Sequence, residues 1–403
     1  MIFQGASFTD SYTLSLRDNA LTVSIGEQEV IACDRAGRLY SVYKEGRTYR
    51  RGLNGRILQK WRSDDDSRLR RWLDEAEAGA LVDAASAALR RLLKTIHSPE
   101  WKWSQPPDPA ASADLLKTLE RGVQFDGETA RRDAARFNRL YCPIGILPSD
   151  QYLALVLQAT EGCSFSTCTF CDLYHQDFRV KPLAEFRQHI ADVREYMDDS
   201  LSLRGQSVFL GAANALAVPM PRLLPLFEAM AGAFESPHYG VYAFVDGFTG
   251  KRKTADDYRA LAALGLRRVY VGLESGHDPL LDFVRKPGRS ADAVETVREI
   301  KAAGVNVGVI VMIGLGGDKY AEGHVADTVA VLKAMQLGAG DLLYFSDLVE
   351  EPGALYPALA ASQSLRPLTS GERTAQRQAI REQLVFAGSP PKISNYDIRE
   401  FVY

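Results

Sequence analysis

Six short apolar runs, each followed by a stretch of helical periodicity, restrict what the chain beyond Pro148 can fold into. The runs are Tyr152–Gln158, Ser207–Leu210, Tyr239–Val245, Arg268–Leu273, Val305–Ile313 and Asp341–Phe345. Between them lie amphipathic segments near 183–200, from Pro221, at 255–264, on to Gly304, and at 322–336. Apolar strands of this length that alternate with helices predict a parallel sheet with right-handed crossovers. Six such units predict an α/β fold, a partial (β/α)6 TIM-like barrel that places its chemistry at the C-terminal ends of the strands.

The preceding chain reads differently. Leu21–Ile25, Val30–Cys33 and Leu39–Tyr43 are short β-type runs separated by turn signals, which predicts a small β-rich unit over residues 1 to about 55. Asp64–Ser67 offers N-caps for a helix carrying Leu69, Trp72, Leu73 and Ala76, interrupted near Gly79 and stopped at Ser98-Pro99. A connector with Trp101 and Trp103 follows, then helices near 111–121 and 128–140. The expected division is an N-terminal α+β region at 1–148, the barrel at 149–350, and a C-terminal extension at 351–403 with a helix and a docking tail.

Between Lys44 and Arg71 ten Lys and Arg face four acids. The overall balance of −3 and the acidic helix beyond favour a solvated face over a nucleic-acid surface. No basic segment followed by an apolar run opens the chain, and no apolar run reaches the roughly 20 residues of a spanning helix. No membrane role and a reducing, cytoplasmic setting are the expectations.

Three of the five cysteines, Cys163, Cys168 and Cys171, fall within nine positions directly after the first predicted barrel strand. Such density points to metal ligation. Three thiolates would hold a [4Fe–4S] cluster with one iron left open, whereas Cys168-x2-Cys171-x3-His175 also has zinc-ligand spacing. Burial as simple core is the third reading, disfavoured by the flanking Ser and Thr. Strand-end placement favours iron–sulfur over a zinc ribbon.

The stretch Gly162–Cys171 resembles the cluster loop of radical S-adenosylmethionine (SAM) enzymes, with Phe170 as the aromatic residue before the last cysteine. The family spacing is Cys-x3-Cys-x2-Cys; here the first gap holds four residues, Ser164 to Thr167. The resemblance extends along the predicted strands. Leu210-Gly211-Ala212-Ala213-Asn214 stands where the family has a Gly-Gly-Glu motif for the SAM amino group, so that Gly211 agrees, the acid is missing and Asn214 takes its place. Gly272-Leu-Glu274-Ser-Gly276 is similar to the strand-four signature of the coproporphyrinogen-oxidase-like and elongator-like branches. It assigns a SAM contact to Glu274 and a neighbouring cation to Arg285 or Lys286, Arg285 being the first choice. Gly308–Gly317 resembles the strand that packs on adenine, which implies Met312 and Ile313. His175 and Arg179 are further candidates for contact with SAM, and Tyr174 for a relay.

The resemblance implies a [4Fe–4S] cluster and SAM as cofactors, an electron donor of flavodoxin or ferredoxin type, and reductive cleavage of SAM to a radical that takes hydrogen from a substrate. It does not identify that substrate. Asp-x-His-x-x-Gly does not occur, so cobalamin is not expected, and Cys33 and Cys142 are too scattered for a second cluster. The alternative from another class is a non-catalytic iron–sulfur or zinc protein that keeps the barrel and has lost SAM chemistry.

Overall fold

The structure, a computed structural model, describes residues 1–8, 10–234, 240–246, 252–351 and 353–403. The chain divides into two compact units, one of Met1–Cys142, Ala191–Gln206 and Val402–Tyr403, the other of Pro143–Ile190 and Ser207–Phe401.

In the first unit, strands β1 (Ile2–Ala6), β2 (Ser11–Leu16), β3 (Ala20–Ile25), β4 (Glu29–Asp34), β5 (Leu39–Lys44), β6 (Arg47–Arg51), β7 (Ile57–Arg62) and β8 (Arg68–Trp72) run as an antiparallel meander. Helix α1 (Glu75–Ile96) follows, then β9 (Lys102–Trp103), which pairs with β1, and helices α2 (Pro109–Gln124) and α3 (Gly127–Leu140). Alternate strand residues such as Leu14, Leu16, Leu21, Val23 and Ile31 face a core completed by Leu89 and Leu92 of α1 and Leu115 and Leu119 of α2.

Two expectations for this region are corrected. Asp64–Ser67 does not cap a helix; it closes the β7–β8 hairpin, and β8 occupies the predicted first helical turn. The helix starts at Glu75, where Asp74 and Glu77 form a reciprocal capping box, and runs through Gly79 without a break. The basic stretch is thus a pair of hairpins, with Arg56 stacked 3.9 Å from the Trp72 ring centre and Arg71 bound to both Glu77 oxygens at 2.7 Å. Below the sheet, Asp133 accepts from Arg38 Nε at 2.8 Å and lies 3.5 Å from the buried Arg51.

The second unit is built on a seven-stranded, all-parallel sheet in sequential order. Its first strand is β10 (Leu155–Gln158); the short pair β11 (Thr160–Glu161) and β12 (Arg179–Val180) brackets the cysteine loop. Helices α4 (Leu183–Met197) and α5 (Leu201–Arg204), whose residues from Ala191 on belong to the first unit, lead to β13 (Ser207–Gly211), and α6 (Met220–Ala233) to β14 (Gly240–Val245). Then come α7 (Ala255–Ala263), β15 (Leu266–Glu274), α8 (Asp278–Phe283), α9 (Ser290–Ala302), β16 (Asn306–Ile313), α10 (Gly317–Met335) and β17 (Leu342–Asp347). Helices α11 (Tyr356–Ser362) and α12 (Ser370–Gln383) precede a last strand, β18 (Lys392–Tyr396), parallel to β17. The six expected strands are present, although Tyr239, expected to open the third, lies outside the described residues. The seventh comes from the tail, so the sheet exceeds the expected six.

Most residues of β10, β13, β16 and β17 are buried, as a sheet covered on both faces requires, whereas the edge strand β18 buries only Tyr396. Asp150, just before β10, ties several strands together. Its carboxylate accepts from Tyr270 Oη at 2.6 Å, Tyr344 Oη at 2.7 Å and Arg268 at 3.0 Å. Because Arg268 and Tyr270 open β15 and Tyr344 lies in β17, this knot fixes strands that are not sequence neighbours. No helix among the described residues is long and apolar enough to cross a membrane.

Candidate functional site

A cavity at the C-terminal ends of the parallel strands collects the candidate residues. Cys163, Cys168, Phe170 and Cys171 line it from the loop after β10, and Asn214 from beyond β13. Asp246 follows β14, Gly272 and Glu274 end β15, Lys286 follows α8, and Ile310 and Met312 belong to β16. Ser346 and Asp347 of β17 and Tyr396 of β18 complete the wall.

The cysteine loop is held by backbone geometry and by two threonines. Gly162 has φ +69°, and a Cβ there would lie 2.4 Å from the Gln176 carbonyl oxygen, so only glycine fits. Within the first gap Ser166 adopts φ +52°, and its hydroxyl donates to the Cys163 carbonyl at 3.3 Å. Thr169 N–H donates to Val284 O at 2.9 Å and Thr167 Oγ1 to Arg285 O at 3.1 Å. These bonds pin the loop to the segment that carries Lys286.

The turn of β15 into the cavity is a bulge. Gly272 pairs with Ile310 and Glu274 with Val311, so Leu273 has no opposite number, and Glu274 takes φ +60°. The Glu274 carboxylate then lies 3.6 Å from Lys286 Nζ. Burial pushes Glu274 up against the pull of Lys286; burial opposes the charge on Lys286, but the neighbouring Glu274 raises it. Burial also raises the thiols, Cys168 to about 11, so both Cys168 and Cys171 are neutral in the absence of a metal.

Not every predicted residue faces the cavity. Strand alternation turns Ile310 and Met312 toward it and sends Ile313, fully buried, to the opposite side. Gly211 ends β13 beneath the wall without lining it. Arg285 has φ +55° and contributes its carbonyl to Thr167, while Lys286, not Arg285, meets Glu274. His175 is largely exposed and lies 3.6 Å from Asp172, outside the cavity wall. Arg179 clasps Glu161 and Glu185, tying β11–β12 to α4. Tyr174 does line the cavity, its ring against Gly145. Sequence reading passed over Asp246, Ser346, Asp347 and Tyr396; the signal available for the first three was their place at strand ends.

Among the described residues no three His, Cys, Asp or Glu side chains stand in ion-ligating geometry. What fits a metal group is the donor set: three thiols from one short loop face one cavity, and the Lys286 ammonium next to them would offset thiolate charge.

The family description "Radical SAM superfamily" matches residues 157–329, which run from β10 to α10. The chain carries a radical SAM domain. A curated relative, 4'-phospho-dehydrooxetanocin synthase of Priestia megaterium, is 24% identical over 217 residues, covering 47% of this chain and 28% of its own. The chain thus spans under a third of that relative's length. Among solved structures, coproporphyrinogen III oxidase of Escherichia coli shares 12% identity with a TM-score of 0.42, over 60% of this chain and 53% of its own. The radical SAM methyltransferase TsrM of Kitasatospora setae, solved with cobalamin and a [4Fe-4S] cluster, shares 18% identity with a TM-score of 0.40, over 52% and 37%. The matched residues include the cysteine loop, Glu274, Lys286, Ile310 and Met312, while Ser346, Asp347 and Tyr396 of the cavity wall lie beyond them.

Proposed function

We propose that this chain is a radical SAM enzyme in which Cys163, Cys168 and Cys171 hold a [4Fe–4S] cluster beside a SAM pocket. The observation that carries the reading is the convergence of the three cysteines with Glu274 and Lys286 on one strand-end cavity within the radical SAM domain. When bound, cluster and SAM together supply reductive cleavage of the sulfonium to methionine and a 5′-deoxyadenosyl radical, which takes hydrogen from the substrate.

The protein's part is to bind, orient and exclude water. Lys286 offsets negative charge at the thiolates and pairs with Glu274, whose side-chain oxygens accept hydrogen bonds from SAM. Phe170, Phe244, Ile310 and Met312 offer apolar surface to adenine. Ser346, Asp347 and Tyr396, on the last two strands, lie at the far side of the sheet order from β10 and suit contacts to substrate. The electron comes from a flavodoxin- or ferredoxin-type donor. Residues 1–148 and 351–403 are taken as additions to the barrel at 149–350, and the cytoplasm as the compartment.

Anaerobic reconstitution with iron and sulfide tests the ligand set. Wild type should hold about four irons per chain, and Cys163→Ala, Cys168→Ala and Cys171→Ala should each hold far less. A stoichiometric zinc ion in place of iron, surviving all three substitutions, would exclude it.

A further inference from the structure

A second cavity, of about 330 Å³, forms where the chain beyond β17 packs on the end of β16. Leu348, Leu365 and Leu368 give it apolar walls, and Tyr356, Arg373 and Arg399 bring polar groups. Among its described lining residues are none of the loop cysteines, nor Glu274 or Lys286, so it is separate from the proposed cluster and SAM pocket.

Arg373 is held in place without being satisfied. Its stem crosses Gly314, where a Cβ would stand 3.1 Å from Arg373 Cδ. Gln376, one turn further along α12, fixes the helix there by accepting the Gly314 N–H at 2.8 Å. Among the described residues the Arg373 guanidinium donates no hydrogen bond. Asp347 lies 3.9 Å from its Nε and is bound instead by Arg377. The buried Arg373 Nε, Gln376 Nε2 and Arg377 Nε, on one face of α12, all have no partner among the described residues. Buried donors are rarely left so. A guanidinium offers five N–H groups in a planar fork that matches a carboxylate or a phosphate.

The remaining polar groups add donors. Tyr356 is buried, and its Oη accepts the Gly316 N–H at 2.9 Å, which leaves the hydroxyl proton to give. Arg399 holds Asp397 through Nε and Nη2, each at 2.9 Å, and keeps Nη1. Glu350, exposed, is the one acid among the described lining residues. The N–H groups of Gly314, Gly316, Gly317 and Asp318 are taken by Gln376, Tyr356, Gly314 O and Arg366 O. Donors to a guest therefore come from side chains and not from the glycine-rich loop.

We propose that this cavity binds the carboxylate or phosphate head of a small acid, with Arg373 as the anchoring cation and Tyr356 as a second donor. Val349 lines both cavities, so the rest of the guest extends toward the strand ends. The anion site stands on the residues named here; its assignment to the substrate rests on the radical SAM reading above.

Calorimetric titration of phenyl phosphate, benzoate and uncharged benzamide into the reconstituted protein provides the test. At least one anion should bind, and benzamide should bind far more weakly. Arg373→Gln should weaken the anion roughly 10- to 100-fold, the worth of a charge-assisted hydrogen bond. Arg373→Lys, which keeps the charge without the fork, should recover part of the loss. Tighter binding of phenyl phosphate assigns a phosphate ester, and tighter binding of benzoate a carboxylic acid. In wild type, phenylglyoxal labelling of Arg373, read from its peptide by mass spectrometry, should slow when the anion is present; this readout needs no variant to fold. No binding of either anion, equal binding of benzamide, unchanged affinity in Arg373→Gln, or labelling that the anion does not slow would each overturn the inference. A wild type that binds the anion at Arg373 and releases no 5′-deoxyadenosine would instead overturn the radical SAM reading and leave the anion site standing.

Discussion

Glu274 folds back over Gly272: a Cβ at position 272 would lie 2.6 Å from Glu274 Oε1 and 3.7 Å from Lys286 Nζ. The missing side chain is what gives the carboxylate its seat. Gly272→Ala should displace Glu274, break its pairing with Lys286 and destabilise the protein by about 1–3 kcal/mol, the usual cost of overpacking. Urea denaturation of the variant checks the stability, and loss of SAM affinity checks the seat. Wild-type values in both would mean that Glu274 is placed by something other than Gly272.

His324 makes stability depend on pH. It is fully buried in α10, its Nδ1 lies 2.7 Å from Ser275 Oγ, and its Nε2 has no hydrogen-bond partner among the described residues. Burial, with a smaller effect of His277, lowers it to about 4. His277 in turn lies 2.6 Å from Asp327. The unfolded chain therefore binds a proton near the ordinary value of about 6.5 that the folded chain refuses until about pH 4. Stability is full above pH 6.5 and falls as pH drops through that window, by roughly 3 kcal/mol in all. His324→Gln should flatten this part of the curve. An unchanged slope in the variant would assign the acid sensitivity to other groups.

Asp150 serves the sheet rather than the cavity. Its removal leaves two tyrosine hydroxyls and the Arg268 guanidinium without their carboxylate. Asp150→Ala should cost about 2–4 kcal/mol, measured as a shift in denaturation midpoint, with SAM affinity kept at temperatures where the protein stays folded. A loss below about 1 kcal/mol would show that water replaces Asp150 at little cost.

The parallel sheet was legible because β10, β13, β14, β15, β16 and β17 are nearly continuous apolar runs. β18 was not, since Lys392-Ile-Ser-Asn-Tyr396 carries few apolar residues and has a neighbour on one side alone. β8 misled for another reason: Leu69, Trp72 and Leu73 suit a helical face as well as a strand followed by a cap at Asp74. The cysteine loop and Glu274 stood out through local motif. Choosing between Arg285 and Lys286 needed the positive φ at Arg285, and Asp246 has no motif at all. Its backbone N–H is bound by Asn214, 32 positions earlier in the chain.

Cys33 and Cys142 are expected to hold no metal. Cys33 is buried among the strands and helices of the first unit, where burial raises its thiol far above the ordinary range. The double variant Cys33→Ala/Cys142→Ala should keep about four irons per chain. A wild type with roughly eight irons, halved by the double substitution, would add a second cluster.

The central claim is that this cavity cleaves SAM reductively. The direct measurement is 5′-deoxyadenosine formed by reconstituted protein under a chemical reductant, compared with Cys168→Ala. Wild type should release 5′-deoxyadenosine and methionine in equal amounts, and the variant none above background. Equal product from both, or none from a wild type that carries about four irons and binds SAM, would contradict the account.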